Sequence, residues 1–194
     1  RTAWRRSGAP AWASAPSPSS SPSPSHSLSP HTLTLTRCAN FGTCTGTDKI
    51  SGISQVNHEL FEAGGLFPQG RDLLHEGKCS EVRAVVDQIV SIMTVPLVQG
   101  TLRHAWKTGQ IGGVDNKHWD QSAKNSAEGS TFAAAVLPLV HACDATSANT
   151  ISYYMKFGVA VYDRITGAFA SGSKPDTAAV KAAFEKTYRC LGIT

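Results

Sequence analysis

Six of the chain's ten prolines fall before residue 38, and serine fills many of the positions between them. Pro10, Pro16, Pro18, Pro22, Pro24 and Pro30 each fix φ and remove a backbone donor, so neither a helix nor a central strand can run through this stretch. It also lacks the apolar side chains whose burial would offset the entropy of ordering it. Residues 1–37 are therefore expected to be a disordered low-complexity tail: a stalk, a stretch following a signal peptide, or a translated artefact of an incomplete gene. Residues 38–194 are expected to form one folded domain, as the length allows. The tail holds Arg1, Arg5, Arg6 and Arg37 and no acid, so the net charge of +4 comes entirely from it. A neutral folded part argues against nucleic acid as a partner, because phosphates require a basic face. No uninterrupted apolar run approaches the ~18 residues of a membrane span, so none is expected.

Beyond Cys38 alanine becomes abundant and apolar residues recur at spacings of three and four. Ile50, Ile53, Val56, Leu60 and Phe61 predict a helix over 48–63, stopped by Gly64 and Gly65. A short helix follows over 66–76, ended by Gly77. Ser80 can cap a third helix, with Val82, Val85, Val86, Ile89, Val90 and Met93 on one face. Pro96 suits the first turn of a new helix carrying Val98, Leu102, Ala105 and Trp106, with a loop over 109–113. The longest pattern spans 117–142, and Pro138 is expected to kink or shorten it. Asp144 can cap a helix through residue 157, closed by Gly158, with Ile151, Tyr154 and Met155 buried. Residues 159–170 suit helix or strand. Asp176 can cap a last helix with Val180, Ala183, Phe184, Thr187, Tyr188 and Leu191 in one stripe, stopped by Gly192. The sum is an all-α fold, a multi-helix bundle of about six or seven helices.

None of the five cysteines forms a C-x-x-C pair, which argues against a structural zinc site. Cys143 and Cys190 each end a helix, and helix ends meet in an antiparallel bundle. These two are expected to be bonded, with Cys38–Cys44 as a second pair, which fits a secreted protein. Five reduced thiols in a cytosolic protein is the alternative.

Three places could carry chemistry. In residues 57–62, Glu59 and Glu62 are three apart and His58 and Glu62 four apart, so on a helix each pair shares a face. Two carboxylates and an imidazole can hold a hard cation, or simply form a solvated acidic face. In residues 101–107, Arg103 offers a planar fork suited to carboxylate, carbonate or phosphate, with His104 beside it on the chain. Glu128 begins a largely apolar run through Pro138, where a carboxylate needs a cationic partner, a metal or an arginine. Gly129 lets another backbone or a ligand come close. Tyr153, Tyr154 and Tyr162 could give phenolate to Fe3+ or lie in the core. No nucleophile elbow, P-loop or dinucleotide fingerprint is present.

The stretches Val-Pro-Leu-Val-Gln-Gly-Thr-Leu-Arg at 95–103, Ala-Glu-Gly at 127–129 and Phe-Ala-Ala-Ala-Val-Leu-Pro-Leu-Val-His-Ala-Cys at 132–143 resemble the algal iron-assimilation proteins induced by low iron, and the related phytotransferrins. So does Ala-Ala-Phe-Glu-Lys-Thr-Tyr-Arg-Cys-Leu-Gly-Ile at 182–193. The resemblance covers most of residues 45–194. It implies a non-enzymatic protein of the extracellular space, periplasm or cell surface that binds ferric iron with carbonate as companion anion. It also implies neighbouring repeats of the same domain. The positions it carries over are Thr101, Arg103 and Glu128. The family is expected to favour tyrosine after the arginine, where His104 and Trp106 stand here. The resulting expectation is one Fe3+ site with ligands from Glu128, His104 and the Glu59/Glu62 pair, His58 in reserve, and Arg103 with Thr101 holding carbonate. A secreted structural or interaction domain without metal is the alternative. A metal-dependent hydrolase is a third class, but no H-E-x-x-H supports it.

Overall fold

The computed structural model describes residues 38–109, 123–157, 162–163, 168–169 and 175–193. The expected tail, the loop at 110–113, the first residues of the 117–142 pattern and Gly158 lie outside these. After a helical turn at residues 38–41, six helices make up the described fold: α1 (Gln55–Phe61), α2 (Leu66–His75), α3 (Cys79–Gly109), α4 (Ala123–Cys143), α5 (Ala145–Met155) and α6 (Thr177–Leu191). The ambiguous stretch before α6 contributes two two-residue strands, β1 (Tyr162–Asp163) and β2 (Ala168–Phe169). They pair antiparallel, Tyr162 with Phe169 and Asp163 with Ala168. The fold is all-α, as the helical spacing predicted.

The caps behave as their residue types require. Asp144 accepts from the Thr146 N–H at 2.9 Å and from the Ser147 hydroxyl at 2.8 Å, opening α5. Asp176 accepts from the Ala179 N–H at 3.0 Å, opening α6. Gly192 ends α6 with φ 72°, the left-handed conformation that a side chain would resist. The expected disulfides are both present: Cys38–Cys44 with Cα atoms 4.9 Å apart, and Cys143–Cys190 at 5.9 Å. Cys79 is free and exposed.

Two expectations about helix boundaries fail, for different reasons. The first helix starts at Gln55, not 48, and Ile50 and Ile53 are exposed. The Asp48 side chain accepts from the Ile50 N–H, the Ser51 N–H and the Ser51 hydroxyl, holding 48–51 in a turn that competes with the helix. The positive φ of Lys49 and Gly52 completes that turn. The other failure is at Pro96, which begins nothing. It lies inside the 31-residue α3, as Pro138 lies inside the 21-residue α4. Proline in a helix interior costs a hydrogen bond and crowds the preceding turn. Here packing on both sides of Pro96 keeps one helix through it.

That packing divides α3 between two clusters. Its first half contributes Val85 to a small cluster with Leu60 of α1 and Leu66 of α2, joined by Val56, Leu73, Ile89 and Ile92. Its second half contributes Val98 and Ala105 to the main core, with Val136 and Val140 of α4, Ile151 and Met155 of α5, and Val180 and Phe184 of α6. The Thr177 hydroxyl donates to the Ala105 carbonyl at 3.2 Å, tying the start of α6 to α3. By length and composition α3 is also apolar enough to cross a membrane, although its second half is the core helix of this domain.

Candidate functional site

The site is built where α3 and α4 cross. On α3, Gly100 and His104 stand one turn apart and share a face. On α4, Gly129 and Phe132 do the same. Large meets small in both directions. A Cβ on Gly100 would lie 2.7 Å from the Phe132 ring, and a Cβ on Gly129 would lie 2.7 Å from His104 Cβ and 2.9 Å from Met155 Cε. The Phe132 ring stacks on the His104 imidazole with centroids 5.8 Å apart and planes 16° apart. The glycines thus let the two helices close around an imidazole that is only 2% exposed.

His104 Nε2 then faces the Glu128 carboxylate, 3.4 Å from Oε2, while the Glu128 side chain is 41% exposed. The pair runs from the interior to the surface, with the nitrogen inside and the carboxylate at the mouth. The cationic partner that Glu128 was expected to need, a metal or an arginine, is here the His104 imidazole, the residue expected to share its site. The expected close approach at Gly129 is made by His104 and Met155. Arg103, the next residue along α3, is half-buried, and its Nη1 is buried without a hydrogen-bond partner among the described residues. A buried guanidinium donor without an acceptor is costly. Thr101 is fully buried and donates its hydroxyl proton to the Leu97 carbonyl at 2.9 Å.

The acidic pair lies elsewhere. His58, Glu59 and Glu62 line a cavity of about 280 Å³ at the α1–α2 corner, with Gln69 and Gln88. Glu59 accepts from Gln55 Nε2 at 3.0 Å, and Glu62 is already outside α1, with extended backbone. Among the described residues no group of three or more His, Cys, Asp or Glu side chains is placed to hold a metal. The described structure therefore brings His104 to Glu128, but it does not gather Glu59, Glu62 and His58 with them. Tyr153 and Tyr154 make an edge-on ring pair at 4.9 Å, with Tyr153 exposed. The side chain of Tyr162 lies outside the described residues.

Sequence reading missed Gly100 and Phe132. The signal was a helical glycine at position 100 beside a pattern with one bulky aromatic, but only the crossing itself matches one to the other. Comparison with family models, curated proteins and solved structures finds no match to this chain.

Proposed function

We propose that this chain is a secreted or cell-surface ferric-iron-binding protein of an algal iron-uptake system, with carbonate as synergistic anion and no catalytic role. One turn of α3 carries the reading. His104 Nε2 stands 3.4 Å from Glu128 Oε2, and the neighbouring Arg103 keeps a buried Nη1 without an acceptor among the described residues. Carboxylate suits a hard ion such as Fe3+, and imidazole also ligates iron. A guanidinium fork suits a small planar anion that would complete the metal's shell. The two disulfides are compatible with an oxidising compartment, and the sequence resemblance to algal iron-assimilation proteins supplies the metal's identity. In this reading iron and carbonate help each other by the same factor. Acid releases the iron, because protons compete for carboxylate, imidazole and carbonate.

The test is Fe3+ titration of the full chain at neutral pH, with and without bicarbonate, beside Glu128→Ala and Arg103→Ala. One ferric ion per chain is expected, with bicarbonate-dependent affinity that falls at least about tenfold in each variant. Wild-type binding by both variants, or no ferric binding under either condition, would overturn it.

A second reading, an interaction domain without metal, has its own observation. Phe67 and Leu74 of α2 and Val86, Val90 and Met93 of α3 are all more than 40% exposed; Phe67, Leu74 and Val86 line one groove, and Val90 and Met93 continue from Val86 at helical spacing. A patch of this kind marks a contact surface. In this reading a neighbouring repeat or a second copy of the domain covers it.

A further inference from the structure

A cavity of about 420 Å³ lies between α1, the middle of α3 and the end of α6, under the loop tied by Cys38–Cys44. Its volume falls in the range of small-molecule sites, roughly 300–1,000 Å³. Val56, Ile92, Val95, Val98 and Leu102 give it apolar walls. Gln99 of α3, Thr43 of the disulfide loop and Gln55 and Glu59 of α1 form a linked run of polar groups along it, while Ser91 and Tyr188 bring hydroxyls from α3 and α6. Gln99, almost fully buried, donates from Nε2 to Thr43 Oγ1 at 3.2 Å, which leaves its Oε1 as an acceptor. Glu59 adds a carboxylate, and Gln55 steadies it through the 3.0 Å bond to Oε1. Tyr188 lines the cavity as a neutral phenol, since burial first and the Glu185 carboxylate second push its pKa up. Among the described residues no Lys, Arg or His lines it.

The walls are held in place from several directions. The loop carrying Phe41 and Thr43 is closed by the disulfide and by the Gln55 N–H, which donates to the Thr43 carbonyl at 3.1 Å. At the other end Gly192 packs so tightly on Ser91 that a Cβ there would collide with its side chain. The cavity thus combines a fixed apolar body with one negative charge and unspent acceptors along the polar run.

We infer that this cavity binds an apolar amine, with the alkyl or aryl body against Val56, Val95 and Val98 and the ammonium on Glu59 and Gln99 Oε1. Charge decides the class. A fatty acid of the same shape would bring its carboxylate beside the Glu59 carboxylate, with no cation among the described lining residues to receive it, whereas an ammonium gains a charge-assisted hydrogen bond. The site is independent of the His104–Glu128 pair, and its test is blind to iron.

The experiment titrates the full, metal-free chain with nonylamine, nonanol and nonanoate at neutral pH by calorimetry. Nonylamine is expected to bind about tenfold or more tightly than nonanoate, with the alcohol between, the tenfold corresponding to one charge-assisted bond. Glu59→Gln, an isosteric change at an exposed residue, is expected to weaken the amine about tenfold and leave the alcohol unchanged. Val95→Trp is expected to abolish binding of all three. Should Val95→Trp fail to fold, contacts between the alkyl chain and the Tyr188 ring in nuclear Overhauser spectra locate the site instead. Equal binding of amine and acid, amine binding indifferent to Glu59→Gln, an alkyl chain without contact to Tyr188, or no binding of any probe would each overturn the assignment.

Discussion

Gly129 of α4 and His104 of α3 are in contact at the point where a side chain on the former would collide with the latter: a Cβ on Gly129 would come within 2.7 Å of His104 Cβ. The atom it meets is bonded directly to the α3 backbone and cannot swing away. At Gly100 the atoms met are those of the Phe132 ring, which can rotate or shift. Alanine gains about 1 kcal/mol over glycine in a helix interior, while overpacking a core costs about 1–3 kcal/mol. Gly129→Ala is thus expected to be net destabilising and Gly100→Ala milder. The urea midpoints of the two variants check the order. Equal midpoints would mean that the crossing is looser than the contacts imply.

The caps of α5 and α6, the stop at Gly192 and the buried stripe of α6 were legible because each is set by residues within one or two turns of each other. Asp144, Asp176, Val180, Phe184 and Leu191 needed no knowledge of the rest of the chain. Pro96 was misread for the opposite reason: its local cost is real, but the packing that outweighs it comes from α1, α2, α4 and α6. The first helix was misread because the Asp48 turn uses polar side-chain bonds that apolar spacing does not register. At the site, Glu128 and His104 were singled out separately from their sequence surroundings. The resemblance placed them in one site; their direct 3.4 Å contact was not legible, because it depends on the glycine-for-bulk exchange across two helices. Six apolar residues on the first half of α3 share one face by their spacing, yet α1 and α2 cover only the part around Val85, Ile89 and Ile92. How wide a face its neighbours cover is a tertiary fact.

The Cys143–Cys190 bond spans 47 residues and Cys38–Cys44 spans six. On the chain-entropy view the longer closure stabilises by about 4 kcal/mol and the shorter by about 2 kcal/mol. Replacing Cys143 and Cys190 together by serine is expected to lower the unfolding free energy by roughly twice as much as the same change at Cys38 and Cys44. Chemical denaturation of the two double variants measures this. Peptide mapping without reductant is expected to return both linkages, with Cys79 alone open to alkylation.

Asp144 links stability to acid pH. The Ser147 hydroxyl first and the Thr146 N–H next hold its carboxyl below the usual aspartate value. A folded pKa below the unfolded one gives stability that is complete above the unfolded value, about 3.9, and is lost as pH falls through the folded value. Asparagine can still accept the cap bond but does not titrate. Asp144→Asn is therefore expected to flatten the loss of stability below about pH 4, leaving only the share due to other carboxylates such as Asp48. Thermal unfolding at neutral pH and near pH 3 tests it. An unchanged acid limb would show that Asp144 titrates alike in both states.

The exposed face of α2 and α3 predicts association. Val82, Val86, Val90 and Met93 follow one another at helical spacing along the first half of α3, and Phe67 and Leu74 flank them on α2. The charges at its edge are already paired, Arg71 with Asp72 at 2.9 Å and Arg83 with Asp87 at 3.1 Å. Two of the basic side chains beside the face are thus offset by acids rather than left to repel a second copy. Sedimentation velocity over a wide concentration range is expected to show reversible association of the full chain. Val86→Glu with Val90→Glu places two carboxylates in the middle of the face and is expected to leave a monomer. Both positions are more than 40% exposed, so the unfolding midpoint should move by no more than the ~0.5 kcal/mol typical of surface changes. That combination separates a contact surface from a misjudged core. If the double variant unfolded readily, the two valines would be buried in the protein's own fold. If the wild-type chain stayed monomeric at every concentration, self-association would be excluded as the role of this face.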